Sequence, residues 1–96
     1  MKLLTSKSTR AEIEQMALEQ IMSQLDDFTV NQIIKSMRAI CDEDIETAVI
    51  EEVVFNAIDY CLMEGYIDIY DRFSYLVNPI KQIEFSNSKA VDLNTI

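Results

Sequence analysis

A single glycine, Gly65, and a single proline, Pro79, interrupt the 96 residues of this chain. Tight turns depend on these two residue types, so a chain with so few of them has few turns and long elements. Hydrophobic residues make up 49% of the sequence, which is typical of a globular protein, and this length supports one core. We therefore predict a single, mainly helical domain.

A capping box marks the start of the first helix. Thr9 and Glu12 have the Ser/Thr-x-x-Glu spacing in which each side chain binds the other's backbone amide. We predict that the helix ends near Asp26. Its apolar stripe, at steps of three and four residues, is predicted to contain Ile13, Met16, Ala17, Ile21 and Leu25, widened by Leu18 and Met22.

A second capping box follows almost at once. Thr29 is the predicted N-cap and Gln32 completes the box, while Phe28 and Ile33 have the positions of a hydrophobic staple. The second helix is predicted to be short, ending just before Cys41 and the acidic residues that follow it.

The third helix is predicted to begin with Asp44 as its cap and to end at Gly65 in the left-handed conformation. Successive helical residues are 100° apart, and on this spacing apolar residues occupy roughly 240° of the circumference. A single neighbouring element covers a narrower arc than this. Either the first helix and the later strands cover the apolar arc, or a partner chain does. The flank open to a partner chain is formed by Val49, Val53 and Tyr60, and the polar arc by Glu52, Asn56, Asp59 and Met63.

After Gly65 the hydrophobic period changes from 3.6 to 2, which predicts two strands in a hairpin. With Asp71 and Arg72 as a two-residue loop, Tyr70 pairs with Phe73 and Tyr66 with Val77. The residues then facing the core are Ile67, Ile69 and Leu76. The opposite, exposed face is aromatic and consists of Tyr66, Tyr70, Phe73 and Tyr75, together with Val77. A slip of one residue would exchange the two faces.

The chain beyond Pro79 is predicted to be a C-terminal extension or tail, residues 80–96. The stretch "IKQIEF" is predicted to form a short strand or an extended arm, and the polar stretch "SNSKAVDLNTI" a loose tail.

The order helix, short helix, longer helix, glycine and hairpin resembles a winged helix-turn-helix domain over residues 9–79. The resemblance rests on "FTVNQI" at the second helix and on "AIDYCLMEGYIDI" followed by "FSYLV". It implies an α+β, mainly helical fold, a three-helix bundle with a C-terminal β-hairpin, preceded by an N-terminal arm of residues 1–8. It also implies that the third helix enters the major groove of DNA and that the hairpin touches phosphates.

The charge of the chain opposes that implied function. The net charge is −9, and between Ala39 and Asp71 there are ten acids and no lysine or arginine. Neutralising phosphates supplies much of any protein's affinity for DNA, so direct binding to nucleic acid is not expected. The fold can keep its shape and serve another function.

The sequence offers little for catalysis or for a cofactor. Histidine is absent, and Cys41 and Cys61 lack an activating partner, so we predict reduced core thiols and no enzyme activity. Read as a calcium-binding loop from Asp42, the sequence has Thr47 where glycine is required and Val53 where glutamate is required. We expect no metal site and no cofactor.

A non-enzymatic protein-binding function remains. Acidic surfaces attract basic partners, and strongly basic protein surfaces are commonly those that hold nucleic acid. We predict a small inhibitor that docks on such a protein and covers its DNA or RNA site, similar in size and charge to phage inhibitors of restriction, CRISPR or transcription machinery. Its predicted acidic face comprises Asp42, Glu43, Asp44, Glu52, Asp59, Asp68 and Asp71, together with Asn56; the aromatic hairpin face is the second contact.

Three alternatives stay open. In the first, the acids serve general solubility. In the second, the flank of Val49, Val53 and Tyr60 forms a homodimer. In the third, the protein is a transcriptional regulator that still binds DNA. The bases for such a regulator are Lys2, Lys7, Arg10, Lys35 and Arg38. No apolar run reaches the length of a membrane span and the start lacks the apolar stretch of a signal peptide, which predicts a cytoplasmic protein.

Overall fold

Three helices pack against one another and a two-stranded antiparallel hairpin follows them, as the sequence predicts for a mainly helical α+β fold. The computed structural model describes residues 4–94, with side chains described up to Asn87. The elements are α1 (Arg10–Met22), α2 (Val30–Ile40), α3 (Thr47–Met63), β1 (Ile67–Ile69), β2 (Tyr75–Val77) and α4 (Pro79–Asn94).

Both predicted capping boxes are present. The Thr9 hydroxyl accepts the Glu12 N–H at 3.2 Å, and the Glu12 carboxylate accepts the Thr9 N–H at 3.0 Å, a bond that lowers the pKa of Glu12. Thr29 and Gln32 make the equivalent pair at 3.3 Å and 2.8 Å. These local bonds place the starts of α1 and α2 where the sequence predicts them.

The predicted end of α1 is wrong. The helix ends at Met22 rather than near Asp26, and Leu25, assigned to the apolar stripe, is 86% exposed in the turn that follows. The core position at this point of the chain belongs to Phe28, whose backbone forms an antiparallel bridge with Tyr75 through N–H···O bonds of 2.9 Å and 2.8 Å. Ending the helix early lets the chain turn and place Phe28 beside the hairpin.

The predicted cap of α3 is also wrong. The helix begins at Thr47 with Glu46 as its N-cap and no side-chain cap bond. The carboxylate of Asp44 instead accepts the N–H of Ser6 at 3.2 Å and 3.3 Å, so it ties the N-terminal segment to the loop before α3. Leu4 pairs with Cys41 in the same region and is buried, which packs this part of the predicted arm onto the domain.

At the other end of α3, Gly65 has φ +75°, the predicted left-handed conformation. A Cβ atom placed there has nothing within 4 Å, so only the backbone conformation opposes a side chain.

We expect Gly65→Ala to lower the free energy of unfolding by about 1–2 kcal/mol, the cost of the left-handed conformation for an L-residue. Urea unfolding measures this change in the free energy of unfolding. Gly65→Asn is the control and should lose less, because asparagine tolerates this conformation; equal losses would contradict the explanation.

The hairpin register differs by one residue from the predicted one. Ile67 pairs with Val77 and Asp68 with Leu76, and a five-residue segment, 70–74, connects the strands. Val77, predicted to face outward, is therefore buried. The two residues wrongly predicted to face the core, Ile69 and Leu76, are exposed.

A wider turn causes this shift. The Asp71 carboxylate accepts the N–H groups of Phe73 at 2.9 Å and of Ser74 at 3.0 Å, which lowers the pKa of Asp71. The Tyr70 N–H closes the loop by binding the Ser74 carbonyl at 3.0 Å. An Asx-type turn of this kind is longer than the two-residue loop assumed from the sequence.

The segment after Pro79 is α4, not the predicted strand, arm or loose tail; its last two residues lie outside the described part of the chain. The Asn78 side chain caps the helix by accepting the N–H groups of residues 80 and 81, and Pro79 occupies the first helical position. The Gln82 amide binds the carbonyls of Met22 at 2.8 Å and Gln24 at 3.1 Å, which attaches α4 to the end of α1.

Candidate protein-interaction surface

The exposed side of α3 is the most extensive candidate surface. Its buried side, formed by Ile50, Val53, Val54, Ile58 and Cys61, contributes to the core between α1 and α2. We call the opposite side the α3 face, and it comprises Glu51, Glu52, Phe55, Asn56, Asp59, Tyr60 and Met63. The predicted polar arc is thus solvent-exposed, as expected.

Large apolar side chains lie among the acids of the α3 face. Phe55, one of the residues in the roughly 240° apolar arc predicted for this helix, is 51% exposed, and Met63 is 85% exposed. On the helical wheel Phe55 lies between Glu51 and Asp59, so apolar and acidic groups alternate across one surface. Sequence reasoning missed this role of Phe55, because a wide apolar arc does not show which part of it a neighbour covers.

One predicted docking acid already has a cation. Arg10 of α1 donates to the Glu52 carboxylate at 3.2 Å and to Glu14 at 3.0 Å, and these hydrogen bonds, the one with Glu52 first, raise the pKa of Arg10. Both side chains of the Arg10–Glu52 pair are about half exposed, so water screens it. The acids of the α3 face most open to a partner are therefore Glu51 and Asp59.

The remaining predicted acids do not join this face as one cluster. Asp42, Glu43 and Asp44 precede α3, whereas Asp68 and Asp71 follow it, and a 17-residue helix is about 25 Å long. Asp44 and Asp71 also hold backbone N–H groups, which gives both a structural role. The predicted acids are therefore spread along and beyond α3 rather than gathered in one patch.

The predicted aromatic hairpin face is not formed as one surface. Tyr75 packs on Phe28 with ring centroids 5.9 Å apart, and Tyr66 packs edge-on against Tyr60 at 5.8 Å, so both are half-buried. Tyr70 and Phe73 are exposed in the loop, and Ile69, at the loop end of β1, is also exposed although it shares a face with the buried Ile67. The three exposed residues form what we call the hairpin tip.

The predicted homodimer flank is largely covered by the chain itself. Val53 is fully buried, and Val49 is half-buried against the core. Tyr60 alone of the three is well exposed. The excess apolar surface of α3 is covered mainly by α1 and α2, since both helices pack on it, so a flank of these three residues is not available to a second copy.

The bases proposed for DNA binding are partly engaged within the chain. The Arg38 guanidinium donates to the carbonyls of Asp42 and Ile45 and to the hydroxyl of Thr47, which holds the loop between α2 and α3. Arg10 binds two carboxylates, as described above. Lys2 lies outside the described residues, and Lys7 and Lys35 are exposed.

Both cysteines are buried thiols, and the described residues hold no group of metal-binding side chains. Burial raises the pKa of the Cys61 thiol to about 11, so at neutral pH it is protonated and a poor nucleophile, and Cys41 is also buried as a thiol. Among the side chains that the structure describes, no three of metal-binding type lie together in a way that could hold an ion. No helix within residues 4–94 has the length and apolar character to cross a bilayer.

Comparisons with models of protein families, with curated proteins and with solved structures gave no match to this chain. The winged-helix resemblance therefore stays a prediction.

Proposed function

We propose that this protein is a non-enzymatic binding module whose α3 face docks on a basic surface of another protein, one that binds nucleic acid. Occupying that surface would block the partner's DNA or RNA site. The observation that carries the proposal is the composition of the α3 face, where exposed Phe55 and Met63 lie among carboxylates and no lysine or arginine occurs between residues 39 and 71.

Apolar and acidic groups serve different parts of such an interface. Exposed aromatic and methionine side chains supply the desolvated contacts that dominate binding energy at protein interfaces. Carboxylates around them steer a basic partner and exclude an acidic one. Acids needed only for solubility do not require Phe55 or Met63 on the same face.

Two observations favour a protein partner over direct binding to DNA. The α3 face corresponds to the recognition helix in the predicted winged-helix arrangement, and its charge repels phosphate. Arg10 and Arg38, two of the five bases available to a DNA-binding regulator, are bound to groups of this chain.

The proposal is tested by capture on the immobilised protein from a lysate of its source organism. We expect nucleic-acid-binding proteins to be retained and to be displaced by duplex DNA, because both ligands compete for one basic surface. For a purified partner, Glu51→Lys with Asp59→Lys should weaken binding by at least about tenfold, since juxtaposed like charges cost several kcal/mol. Titration calorimetry measures the affinity.

The matched control is Asp26→Lys with Asp27→Lys, which changes the net charge equally at exposed acids of the α1–α2 turn. It should leave the affinity nearly unchanged at physiological salt. Equal losses of affinity in both double variants would show that the acids act only through the net charge of the protein, and not as a specific docking face. Tight binding of the wild-type protein itself to duplex DNA at physiological salt would overturn the proposal.

A further inference from the structure

A groove of about 330 Å³ runs between α1 and α3, beside the α3 face. Its floor is apolar and is formed by Leu18, Val53 and Ala57. This volume is at the lower end of the roughly 300–1,000 Å³ typical of small-molecule pockets. The groove is therefore suited to a single side chain rather than to a helix or strand of a partner.

The rim of the groove is polar and acidic. Glu14 lies on the α1 side, and Asn56 and Tyr60 lie on the α3 side. The edge-on contact with Tyr66 orients the Tyr60 ring, and a side-chain hydrogen bond with Tyr66 raises the pKa of Tyr60.

Arg10 provides an example of the chemistry that this rim accepts. Its guanidinium donates to Oε1 of Glu14 at 3.0 Å and to Oε1 of Glu52 at 3.2 Å, so a planar cation already binds the carboxylates at this end of α1 and α3. Arg10 binds only Oε1 of each carboxylate, so two carboxylates share one guanidinium and the three groups keep a net negative charge. Oε2 of Glu14 can therefore accept from a second guanidinium, whose planar donors match a carboxylate.

We propose that the groove binds a long basic side chain of the partner, an arginine or a lysine. Its aliphatic stem lies on the apolar floor, and its cationic head contacts the Glu14 carboxylate and the Tyr60 ring. This inference rests on the proposed function and names the group by which the basic partner is anchored. An arginine in a desolvated pocket is a frequent centre of binding energy at protein interfaces.

The first test uses N-butylguanidinium as the probe, with N-butylurea as its neutral isostere, in a titration followed by amide NMR. We expect saturable shifts for the groove residues Ala11, Gln15 and Asn56 with the cation, and much weaker ones with the urea. Equal responses to both compounds would show that charge plays no part. Shifts spread equally over exposed acids such as Asp26 and Asp68 would show counterion binding only, and either result overturns the proposal.

A second copy of the chain is the competing occupant, since the hairpin carries Arg72 over the Phe73 ring, 5.5 Å from its centroid. In that case the groove signals would shift with protein concentration in the absence of any probe. Such a result would overturn the proposal in favour of self-association.

A variant that fills the groove without changing charge gives the second test. Ala11 is exposed on α1 and lines the groove, and leucine is a good helix former, so Ala11→Leu should fold normally. We expect it to bind N-butylguanidinium about tenfold more weakly, the scale of losing one anchoring contact. Asn31→Leu, an exposed position in the first turn of α2, is the control and should bind like the wild type.

The two proposals fail in different ways. If a captured partner responds to Glu51→Lys with Asp59→Lys but not to Ala11→Leu, the docking face stands and the groove inference is wrong. If N-butylguanidinium binds the groove yet no basic protein is retained, the groove stands as a cation site and the proposed function is wrong.

Discussion

We expect Phe28→Ala to lower the free energy of unfolding by about 3–5 kcal/mol, because it removes a large side chain that the chain buries completely. Phe28 is 1% exposed, packs on Tyr75, and lies where the turn after α1 meets the hairpin. The cavity would therefore weaken the attachment of the hairpin as well as the core. Urea unfolding followed by circular dichroism measures the loss, with an unchanged slope showing that the unfolded reference is the same.

Leu25→Ala is the matched control for this prediction. Leu25 is an apolar residue of the same turn but is 86% exposed, so its removal should change the stability by no more than about 0.5 kcal/mol. The helical stripe read from the sequence predicts a large loss there instead. If Phe28→Ala fails to fold, Phe28→Leu serves in its place, and a loss no greater than that of Leu25→Ala would contradict the structure.

The second large effect tests the hairpin register. We expect Val77→Asp to cost several kcal/mol, since Val77 is 6% exposed and the new carboxylate would be buried without a partner. Leu76→Asp should cost about 1 kcal/mol, as at a partly exposed position. The register predicted from a two-residue loop puts Leu76 inside and Val77 outside, so it requires the opposite order.

Unfolding curves of the two variants decide between the registers, and each variant serves as the control for the other because both introduce the same charge into the same strand. A larger loss for Leu76→Asp would show that the strands pair as Tyr66 with Val77. Equal, small losses would show that the hairpin contributes little to the folded core.

The candidate surface was only partly predictable from the sequence. The helical rotation of 100° per residue was enough to place Glu52, Asn56 and Asp59 on one side, because a single long helix carries all three. The ion pair between Arg10 and Glu52 was not predictable, since its two residues lie on helices that meet only in the folded protein. The aromatic hairpin surface failed for a related reason, because it depended on a strand pairing that the turn sequence specifies weakly.

The features that the sequence determined by itself are local ones. Capping boxes at Thr9 and Thr29 and the left-handed glycine at position 65 depend on groups within four residues of one another, so no other part of the chain alters them. The excess of acids is a property of composition and is equally independent of folding.

Tertiary structure decided which apolar residues the chain covers. Leu25 and Phe28 are both apolar residues near the same turn, and Leu76 and Val77 exchange faces with a slip of one residue, yet one of each pair is buried and the other is exposed. Burial requires a second element on the opposite side, and the position of that element depends on loop geometry and on contacts between residues far apart in the chain. The apolar residues left exposed on the α3 face, on which the proposed binding depends, and those at the hairpin tip are consequently set by packing.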